Sequence, residues 1–399
     1  MKLLWPCLLL WAGASALAVD CSTLDGKVLC GYQGWFNAEG DGAERGWTHW
    51  TKGRGLPTAA NIKVDLLPDV SELTPAERFA TGLRYPDGRV VELFSSFKRE
   101  TVLRHFRWMR DYGIDGVFVQ RFAVGLRDPR SLRHKNTVLG HCREGARESG
   151  RCYAVMYDLS GLRAGRVGEV LDDWRGLNVT NDIAYLRHRG KPLVAVWGIG
   201  FNDNRAYTLA ECRQLVEALK RDGCAVLVGV PTYWRELKHD AVNDPALHEI
   251  IRLADVVSPW TVGRYSDVRR HAQQTLPADI AWCRQNRLDY LPVVFPGFSW
   301  HNMKGGPLNQ IPRRKGEFFW SQFVAARRAG ATMAYVAMFD EVDEGTAIFK
   351  CVSQPPDGFV GLEGLPSDAY LRLAGWGAKL MRGEMDVTDQ LPVGWLGER

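Results

Sequence analysis

Met333-Ala-Tyr-Val-Ala-Met-Phe-Asp-Glu-Val-Asp-Glu-Gly-Thr346 is an apolar run that ends in four acidic residues within five positions. Residues 333–339 are short and hydrophobic enough to form a buried strand. Carboxyl groups crowded together at the end of such a strand raise one another's pKa. A site can then hold one carboxylic acid and one carboxylate at the same pH. A solvated acidic turn is the alternative interpretation of this segment.

The composition permits a large core and disfavours nucleic acid as a partner. The chain has 399 residues, 46% of them hydrophobic, which alone suggests two or three domains or one α/β barrel. The net charge is only +5, and the basic residues are interleaved with acids rather than gathered in a stripe. Several of the 15 tryptophans stand beside polar residues in predicted loops, where their flat faces suit sugar rings.

Residues 1–18 are typical of a secretory signal peptide. Lys2 precedes the apolar residues 3–11, and Ala16-Leu-Ala18 has the small-x-small form of a cleavage site. A lipoprotein signal is less favoured, because Asp20 precedes Cys21. No later segment reaches the length of a membrane span. We therefore expect residues 19–399 to be secreted or periplasmic, without stable membrane insertion.

The cysteine count predicts disulfides in an exported chain. Eight of the nine cysteines follow the predicted signal, and an even number in an oxidising compartment favours pairing. The spacings suggest the pairs Cys21–Cys30, Cys142–Cys152, Cys212–Cys224 and Cys283–Cys351, although spacing does not fix connectivity. The sequence has no Cys-x-x-Cys motif, so a cysteine zinc site is not expected.

Eight short apolar segments alternate with segments of helical periodicity. The predicted strands are residues 27–36, 116–122, 152–158, 192–197, 225–230, 255–260, 290–295 and 333–339. The predicted helices are residues 98–112, 129–149, 166–188, 208–222, 245–252, 276–287, 317–329 and 367–381. This alternation predicts an α/β fold with a mostly parallel sheet. Eight units favour a (β/α)8 TIM barrel as a single domain over an open doubly wound sheet, and the sequence has no dinucleotide or phosphate loop.

Polar and aromatic residues recur where the predicted strands end, which is where such barrels place their active sites. They are Gln33, Trp35, Gln120, Arg121, Asp158, Trp197, Tyr233, Trp234, Trp260, Trp300, His301, Glu341 and Glu344. This recurrence favours a functional site over a solvated acidic turn. Structural roles stay open for single members: Asp158 could pair with Arg121, and Trp197 could cap the core.

Other chemistries fit the sequence less well. It has no His-Glu-x-x-His motif, no Gly-x-Ser-x-Gly motif and no tight histidine spacing, so neither a metal nor another cofactor is expected. A calcium ion held by Asp340 and Asp343 is the remaining alternative. Carboxylates combined with aromatic platforms are typical of enzymes that cleave glycosidic bonds.

Three segments resemble glycoside hydrolase families 71 and 99: residues 31–36, 112–122 and 339–348. The chain is most similar to bacterial family 71/99-like proteins, some of which are labelled xylosidase/arabinosidase. The resemblance implies a (β/α)8 barrel with the activity of an endo-α-mannosidase or endo-α-mannanase. It also implies that no metal is required.

The motif Asn-Glu-Trp-His-Glu-Gly-Thr of family 99 matches this chain at both glutamates, Glu341 and Glu344. The resemblance implies that Glu344 is the general acid/base. It implies that Glu341 is a base for the sugar's own 2-hydroxyl, giving retention through an anhydro sugar. The residues alone require one protonated and one ionised carboxyl, without assigning them. Asp340, Val342 and Asp343 replace the Asn, Trp and His of the motif, so mannose specificity carries over less well than the glycosidase class.

The sequence therefore predicts a secreted, retaining glycoside hydrolase that acts on a polysaccharide or oligosaccharide. Glu341 and Glu344 are the predicted catalytic residues. The predicted substrate-binding residues are Trp35, Trp50, Gln120, Arg121, Asp158, Trp234, Trp260, Trp300 and His301. The alternatives are a xylosidase, arabinosidase or other glycan hydrolase, and a non-catalytic carbohydrate-binding barrel.

Overall fold

The structure is a computed structural model that describes residues 18–397. The signal peptide predicted for residues 1–18 therefore lies, apart from Ala18, outside the described residues. The strands are β1 (Val28–Tyr32), β2 (Arg78–Arg84), β3 (Val90–Phe94), β4 (Gly116–Phe122), β5 (Cys152–Asp158), β6 (Arg187–His188), β7 (Lys191–Trp197), β8 (Ala225–Pro231), β9 (Val256–Trp260), β10 (Asp289–Tyr290), β11 (Val293–Val294) and β12 (Ala334–Val336).

Helices follow most of these strands. They are α1 (Arg99–Tyr112), α2 (Pro129–Ser149), α3 (Gly168–Leu177), α4 (Leu209–Arg221), α5 (Ala246–Leu253), α6 (Val268–Gln274), α7 (Leu276–Gln285), α8 (His301–Lys304), α9 (Glu317–Arg328) and α10 (Ala369–Arg382). Local signals set several helix ends. Thr208 and Glu211 form a capping box at the start of α4, and Gly113 ends α1 in a left-handed conformation.

The main sheet is curled and parallel, apart from the short antiparallel strand β6 beside β7. Its strands follow the order β10-β9-β8-β7-β5-β4-β1-β12-β11. The two outermost strands are separated in sequence only by Leu291 and Pro292. The Leu291 N–H donates to Val257 O, and the Pro292 carbonyl accepts from Tyr335 N–H, both at 2.9 Å. One segment of chain therefore bonds to both ends of the sheet, and the predicted α/β fold with a parallel sheet is confirmed.

The strand predictions succeed where the apolar runs are long. β4 and β5 have the predicted bounds, and every residue of β5 is buried, as expected for a strand covered on both faces. The predicted seventh strand divides into β10 and β11. The helix predicted over 166–188 was too long, since Asn178, at φ 49°, ends α3 in a left-handed conformation.

The predicted disulfide pairs were wrong. Among the described residues the structure has one disulfide, between Cys21 and Cys152. The other described cysteines are free and buried: Cys30, Cys142, Cys212, Cys224, Cys283 and Cys351. The segment before β1 lies against β5, where Val19 N–H donates to Gly150 O at 2.8 Å. Tertiary packing, rather than short spacing, thus selects the partner of Cys21.

Within residues 18–397, no helix is both long enough and apolar enough to cross a membrane.

Candidate active site

Asp340, the first acid after β12, holds the backbone of the neighbouring strand end. Its two carboxylate oxygens accept hydrogen bonds from Gln33 N–H at 2.7 Å and Gly34 N–H at 2.8 Å. Burial raises the pKa of Asp340 to about 7, although these two backbone donors favour its ionised form. The side chain therefore joins the end of β1 to the segment that carries the other three acids.

Glu341 is almost completely buried beside that junction. Its Oε2 accepts a hydrogen bond from the Gln33 side-chain amide at 2.5 Å. Burial, together with the charges of Asp343 and Glu344, raises the pKa of Glu341 well above its ordinary value. A hydrogen bond from a neutral amide favours the ionised carboxylate, so it acts against that shift.

Glu344 is partly buried and has a different donor. Burial raises its pKa to about 7, and a hydrogen bond from the Trp300 side chain partly offsets the shift. The charges of Asp343 and Asp158 raise it further. The charge of Glu344 raises the pKa of Glu341, and because like charges repel, each carboxyl loses its proton less readily when the other is ionised.

Asp343 is fully buried, and it forms an ion pair with a lysine from a loop that is distant in sequence. Lys63 Nζ lies 2.6 Å from its Oδ2, and His49 Nδ1 lies 3.5 Å from the same oxygen. Burial lowers the pKa of His49, so the imidazole is mostly neutral and Lys63 provides the positive charge. The Lys63 charge also favours ionisation of Glu341 and Glu344.

Glu341 and Glu344 border a cavity of about 200 Å³, which we call the acidic cavity. Its lining residues come from the carboxyl ends of strands and the segments after them: Gln33, Trp35, Gln120, Phe122, Asp158, Ser160, Trp197, Trp260, Met338, Glu341 and Glu344. The lining contains three carboxyl groups and no Lys, Arg or His. Burial raises the pKa of the third acid, Asp158, to about 6 against hydrogen bonds from Ser160.

Four of the side chains that line the acidic cavity have buried polar atoms without a hydrogen-bond partner in the described part of the chain. Gln33 Oε1 and Glu341 Oε1 are acceptors, whereas Trp35 Nε1 and Trp197 Nε1 are donors. A buried polar group without a partner is costly in free energy. Donors and acceptors distributed over one small cavity match the hydroxyl groups of a sugar, each of which can donate and accept.

Indole rings form much of the wall. Trp197 and Trp260 meet edge to face, with ring centroids 5.5 Å apart. Trp35 stacks on His49 with ring centroids 3.8 Å apart and on Phe122 at 5.1 Å. Its position is therefore fixed by aromatic packing.

The absence of a side chain at Gly31 makes room for two side chains beside the acidic cavity. A Cβ at this position would overlap the Tyr335 hydroxyl and the Met338 side chain. The Tyr335 hydroxyl accepts from the Gln120 amide at 3.0 Å and so orients Gln120, one of the lining residues.

The structure brings together six of the eleven predicted site residues at the acidic cavity: Trp35, Gln120, Asp158, Trp260, Glu341 and Glu344. Trp300 lies outside the lining but hydrogen-bonds to Glu344. His301 also lies outside it. Its backbone N–H donates to Asp65 at 2.7 Å, and its Nδ1 bonds to the Gly306 carbonyl at 2.9 Å.

Three of the predicted substrate-binding residues are packed inside the fold instead of facing the cavity. Trp50 is completely buried and donates from Nε1 to Phe94 O at 3.1 Å. Trp234 is also completely buried and packs edge-on against Trp282 of α7. Arg121 is buried against α3, where it forms an ion pair with Asp173. None of the three side chains reaches the cavity, and the considered pair of Asp158 with Arg121 is not formed.

Sequence reasoning missed several residues that shape the cavity. Gln33 and Trp197 stood at predicted strand ends but were left out of the predicted site. Their positions at carboxyl ends were the signal that could have included them. Lys63 lies in the long segment between β1 and β2, and no local pattern linked it to Asp343.

Asp340 and Asp343 do not together form the calcium site considered from the sequence. The Asp340 oxygens accept backbone hydrogen bonds, and Asp343 pairs with Lys63. Among the described residues, no group of three or more His, Cys, Asp or Glu side chains is arranged to hold a metal ion.

Solved glycoside hydrolases share this fold. The GH99 endo-α-mannosidase from Bacteroides thetaiotaomicron superposes with a TM-score of 0.67 at 17% sequence identity, over 90% of this chain and 99% of that one. A structure described as a glycoside hydrolase-like protein gives a TM-score of 0.56 at 13% identity, over 92% and 97% of the two chains. No family model matches the sequence, and no curated protein is similar to it. At these identities the likeness concerns the fold alone, an α/β fold with a curled parallel sheet.

Proposed function

We propose that this protein is a secreted, retaining glycoside hydrolase in which Glu341 and Glu344 carry out the reaction. The observation that carries the proposal is the acidic cavity, which is lined by two glutamates with raised pKa values and by three indole rings. Paired carboxyls with raised pKa values are the groups that cleavage of a glycosidic bond requires. The fold shared with the GH99 endo-α-mannosidase is consistent with this assignment.

The two glutamates have different hydrogen-bond donors, and this difference supports different roles. The Gln33 amide donates to Glu341 and favours its ionised form, as a base requires, against the burial and the charges of Asp343 and Glu344 that raise its pKa. The pKa of about 7 keeps Glu344 protonated in mildly acidic solution, as a general acid requires. Since each charge opposes the other, the pair retains one proton over a range of pH.

The proposed reaction conserves both protons over two steps. Glu341 takes the proton of the sugar's 2-hydroxyl while O2 bonds to C1, and Glu344 gives its proton to the departing glycosidic oxygen. Water then attacks C1 and loses a proton to Glu344. The C1–O2 bond breaks, and Glu341 returns its proton to O2. Two inversions at C1 give net retention.

The proposed substrate is an α-linked mannan or manno-oligosaccharide, cleaved internally. Its support is the fold shared with the endo-α-mannosidase and the pair of glutamates in the 339–348 segment. Asp343 in place of the motif's histidine, paired with Lys63, is the feature of this chain that favours a different sugar or linkage. Xylan, arabinan and α-glucan are therefore the competing substrates.

We also infer that the curled sheet is a closed (β/α)8 barrel in one catalytic domain over residues 19–399. In support, β10 and β11 count as one strand interrupted at residues 291–292, which gives eight parallel strands. Export of the protein is supported by the disulfide between Cys21 and Cys152, a bond typical of oxidising compartments.

A substrate screen tests the proposed function. The mature protein is incubated with α-mannan, xylan, arabinan and α-glucan, and the released sugars are analysed by chromatography, with NMR for the anomeric configuration of the first product. We expect oligosaccharides of retained configuration from α-mannan. Release from xylan or arabinan only would replace the mannanase assignment with the xylosidase or arabinosidase alternative. Binding of a glycan without any release, at high protein concentration and across pH, would support the non-catalytic alternative.

A further inference from the structure

A second cavity of about 270 Å³ adjoins the acidic cavity. Gln33, Trp35, Gln120 and Phe122 line both spaces, so the two cavities are direct neighbours. The remaining lining of the second cavity includes Arg45, His49, His134 and Lys135 but no Asp or Glu. We call it the basic cavity. The two neighbouring cavities thus have opposite charge, with acids confined to one and cations to the other.

Arg45 and Lys135 supply the positive charge. Both side chains are partly buried, and neither has a carboxylate within ion-pair distance in the described part of the chain. Lys135 Nζ bonds to the Ser131 hydroxyl at 2.5 Å, and a Cβ on Gly125 would lie 2.6 Å from the same ammonium. The ammonium is therefore held closely by its surroundings.

The acids nearest to these cations are engaged elsewhere. Asp128 caps the start of α2 by accepting from Ser131 N–H at 2.6 Å. Asp41 accepts from three donors of its own loop and from the Ser95 hydroxyl, directly after β3. Asp173 holds Arg121 and the Tyr157 hydroxyl. None of them forms an ion pair with Arg45 or Lys135, so both cations are available to an external anion.

Burial and the positive charges of the basic cavity lower the pKa values of the basic groups that line it. Burial and the charge of Arg45 lower the pKa of Lys135 to about 8. Burial, with the same arginine contributing, lowers the pKa of His134 to about 3. Two like charges brought together in a partly desolvated space destabilise each other, and an anion between them would remove that repulsion.

We propose that the basic cavity binds a negatively charged substituent, a carboxylate or a sulfate or phosphate ester, on a sugar unit of the substrate next to the unit held in the acidic cavity. This inference rests on the proposed function for its substrate class. An arginine and a lysine together form charge-assisted hydrogen bonds with any of these groups. The carboxylates of the acidic cavity repel the same substituent, so the two cavities fix the direction in which an anionic glycan binds.

Size supports a substrate that occupies both spaces. Ligand sites commonly enclose about 300–1,000 Å³, and the acidic cavity alone, at about 200 Å³, falls below that range. The basic cavity adds about 270 Å³ beside the four residues that line both spaces. Two linked sugar units, one neutral and one charged, match this pair of adjoining spaces.

Calorimetry with small sugars tests the charge preference. The probes are D-glucuronate, D-glucose 6-sulfate and neutral D-glucose, titrated well below the pKa of about 8 of Lys135, so that its ammonium is charged. We expect at least one charged sugar to bind at least about tenfold more tightly than glucose, as charge-assisted hydrogen bonds allow. Preference for glucuronate alone identifies a carboxylate, and preference for the sulfate alone identifies an ester. Equal affinity for all three sugars overturns the proposal.

Variants locate the effect. Arg45→Met combined with Lys135→Met should remove the preference, whereas the matched pair Arg54→Met and Lys52→Met, at exposed positions of a nearby loop, should retain it. A preference that survives in the first pair contradicts the proposal. If the Arg45→Met and Lys135→Met double variant does not fold, the effect of salt on binding by the wild type tests the proposal. Raising the salt from about 0.1 M to about 1 M shortens the screening length from about 10 Å to about 3 Å, and binding of charged sugars that does not weaken overturns the proposal.

The two proposals can fail separately. A protein that hydrolyses no glycan but prefers charged sugars through Arg45 and Lys135 contradicts the proposed function and supports the anion site. A protein that hydrolyses a neutral glycan, with the same rate in the Arg45→Met and Lys135→Met variants and no charged preference, supports the function and overturns the anion site.

Discussion

At the scale of single residues, the charge of Lys63 is central to the acidic cavity. It lies 2.6 Å from Asp343 Oδ2 and favours ionisation of Glu341 and Glu344. Asp343 has the opposite effect on both glutamates. The pair therefore places two opposing charges beside the proposed catalytic acids, and removing either charge leaves the other unopposed.

Substitutions of this pair should move the pH–activity profile in opposite directions. Lys63→Met removes an attraction for the carboxylates, so the pKa values of Glu341 and Glu344 rise further and the profile shifts to higher pH. Asp343→Asn removes a repulsion, so both pKa values fall and the profile shifts to lower pH, with the Glu344 limb moving below about 7. Rates measured across pH on the substrate found by the screen check the signs, with Lys52→Met as an exposed control. Shifts of the same sign in both variants would contradict this account.

Adjacent residues at the end of β4 show what sequence reasoning could resolve. Gln120 lines the acidic cavity, while Arg121 faces α3 and pairs with Asp173. Successive side chains of a strand point to opposite faces, so only one of the two could reach the cavity. The expectation that active sites lie at the carboxyl ends of strands correctly located this part of the site. The alternation of side chains along the strand would have excluded Arg121 from the predicted substrate-binding residues. Trp50 and Trp234 had no such signal, because a loop sequence does not reveal whether its indole packs inward.

At the scale of elements, Asp340 connects two neighbouring strands beyond their last backbone pairs. β1 pairs with β12 through residues 28–30 and 334–336. Past this ladder, the Asp340 carboxylate accepts from Gln33 and Gly34. The motif carries Asn at the position of Asp340. Here the acid makes two backbone bonds that require two acceptor oxygens.

Asp340→Asn should therefore destabilise the fold. One of the two backbone donors would face an amide NH2 group that cannot accept, and a buried unpaired donor costs about 1–3 kcal/mol. Urea denaturation of the wild type and the variant measures the difference in the free energy of unfolding. Asp386→Asn, at an exposed position, removes the same charge and should have little effect. Equal stability of the Asp340→Asn variant and the wild type would show that the two bonds do not contribute.

Elements with continuous apolar runs were predictable, whereas the connections were not. β4, β5 and β8 are buried over all or most of their length, and burial on both faces makes the sequence uniformly apolar. The segment between β1 and β2 has no such pattern, yet it supplies His49 and Lys63 to the site. Its path depends on contacts with residues almost 300 positions away, which local periodicity cannot encode.

At the scale of the whole molecule, the disulfide ties the segment before β1 to the first residue of β5. Cys21 and Cys152 are 131 residues apart, so the bond closes a loop that contains β1, the β2–β3 hairpin, β4 and two helices. The predicted local pairs assumed that partners are close in sequence. The parallel arrangement instead brings the amino-terminal segment beside β5, two strands away from β1 in the sheet.

Removing the bond should lower the stability of the whole fold. Replacing both Cys21 and Cys152 by Ala should decrease the free energy of unfolding by about 2–5 kcal/mol, since a long loop is released in the unfolded chain. Denaturant unfolding with and without a reductant provides the check. The reductant should destabilise the wild type and leave the double variant unchanged. A wild type that does not respond to the reductant, with stability equal to that of the variant, would contradict the assignment.

The fold class was predictable from the alternation of apolar and helical segments. The place after the last strand pointed to a group of four acids, and the family resemblance selected Glu341 and Glu344 among them. The opposite charge of the two adjoining cavities was not predictable, because it arises from segments far apart in sequence that the fold brings together. Both cavities lie at the carboxyl ends of the strands, where we propose that Glu341 and Glu344 carry out the reaction.

The most direct test of that claim is the turnover number of the Glu341→Gln and Glu344→Gln variants on the glycan identified by the screen. Glutamine preserves the shape and one acceptor oxygen but can neither accept nor give the required proton. We expect each substitution to lower turnover by about 10²–10⁴-fold, with thermal unfolding showing that both variants are folded. Turnover at the wild-type level in both variants would contradict the assignment of the reaction to these two residues.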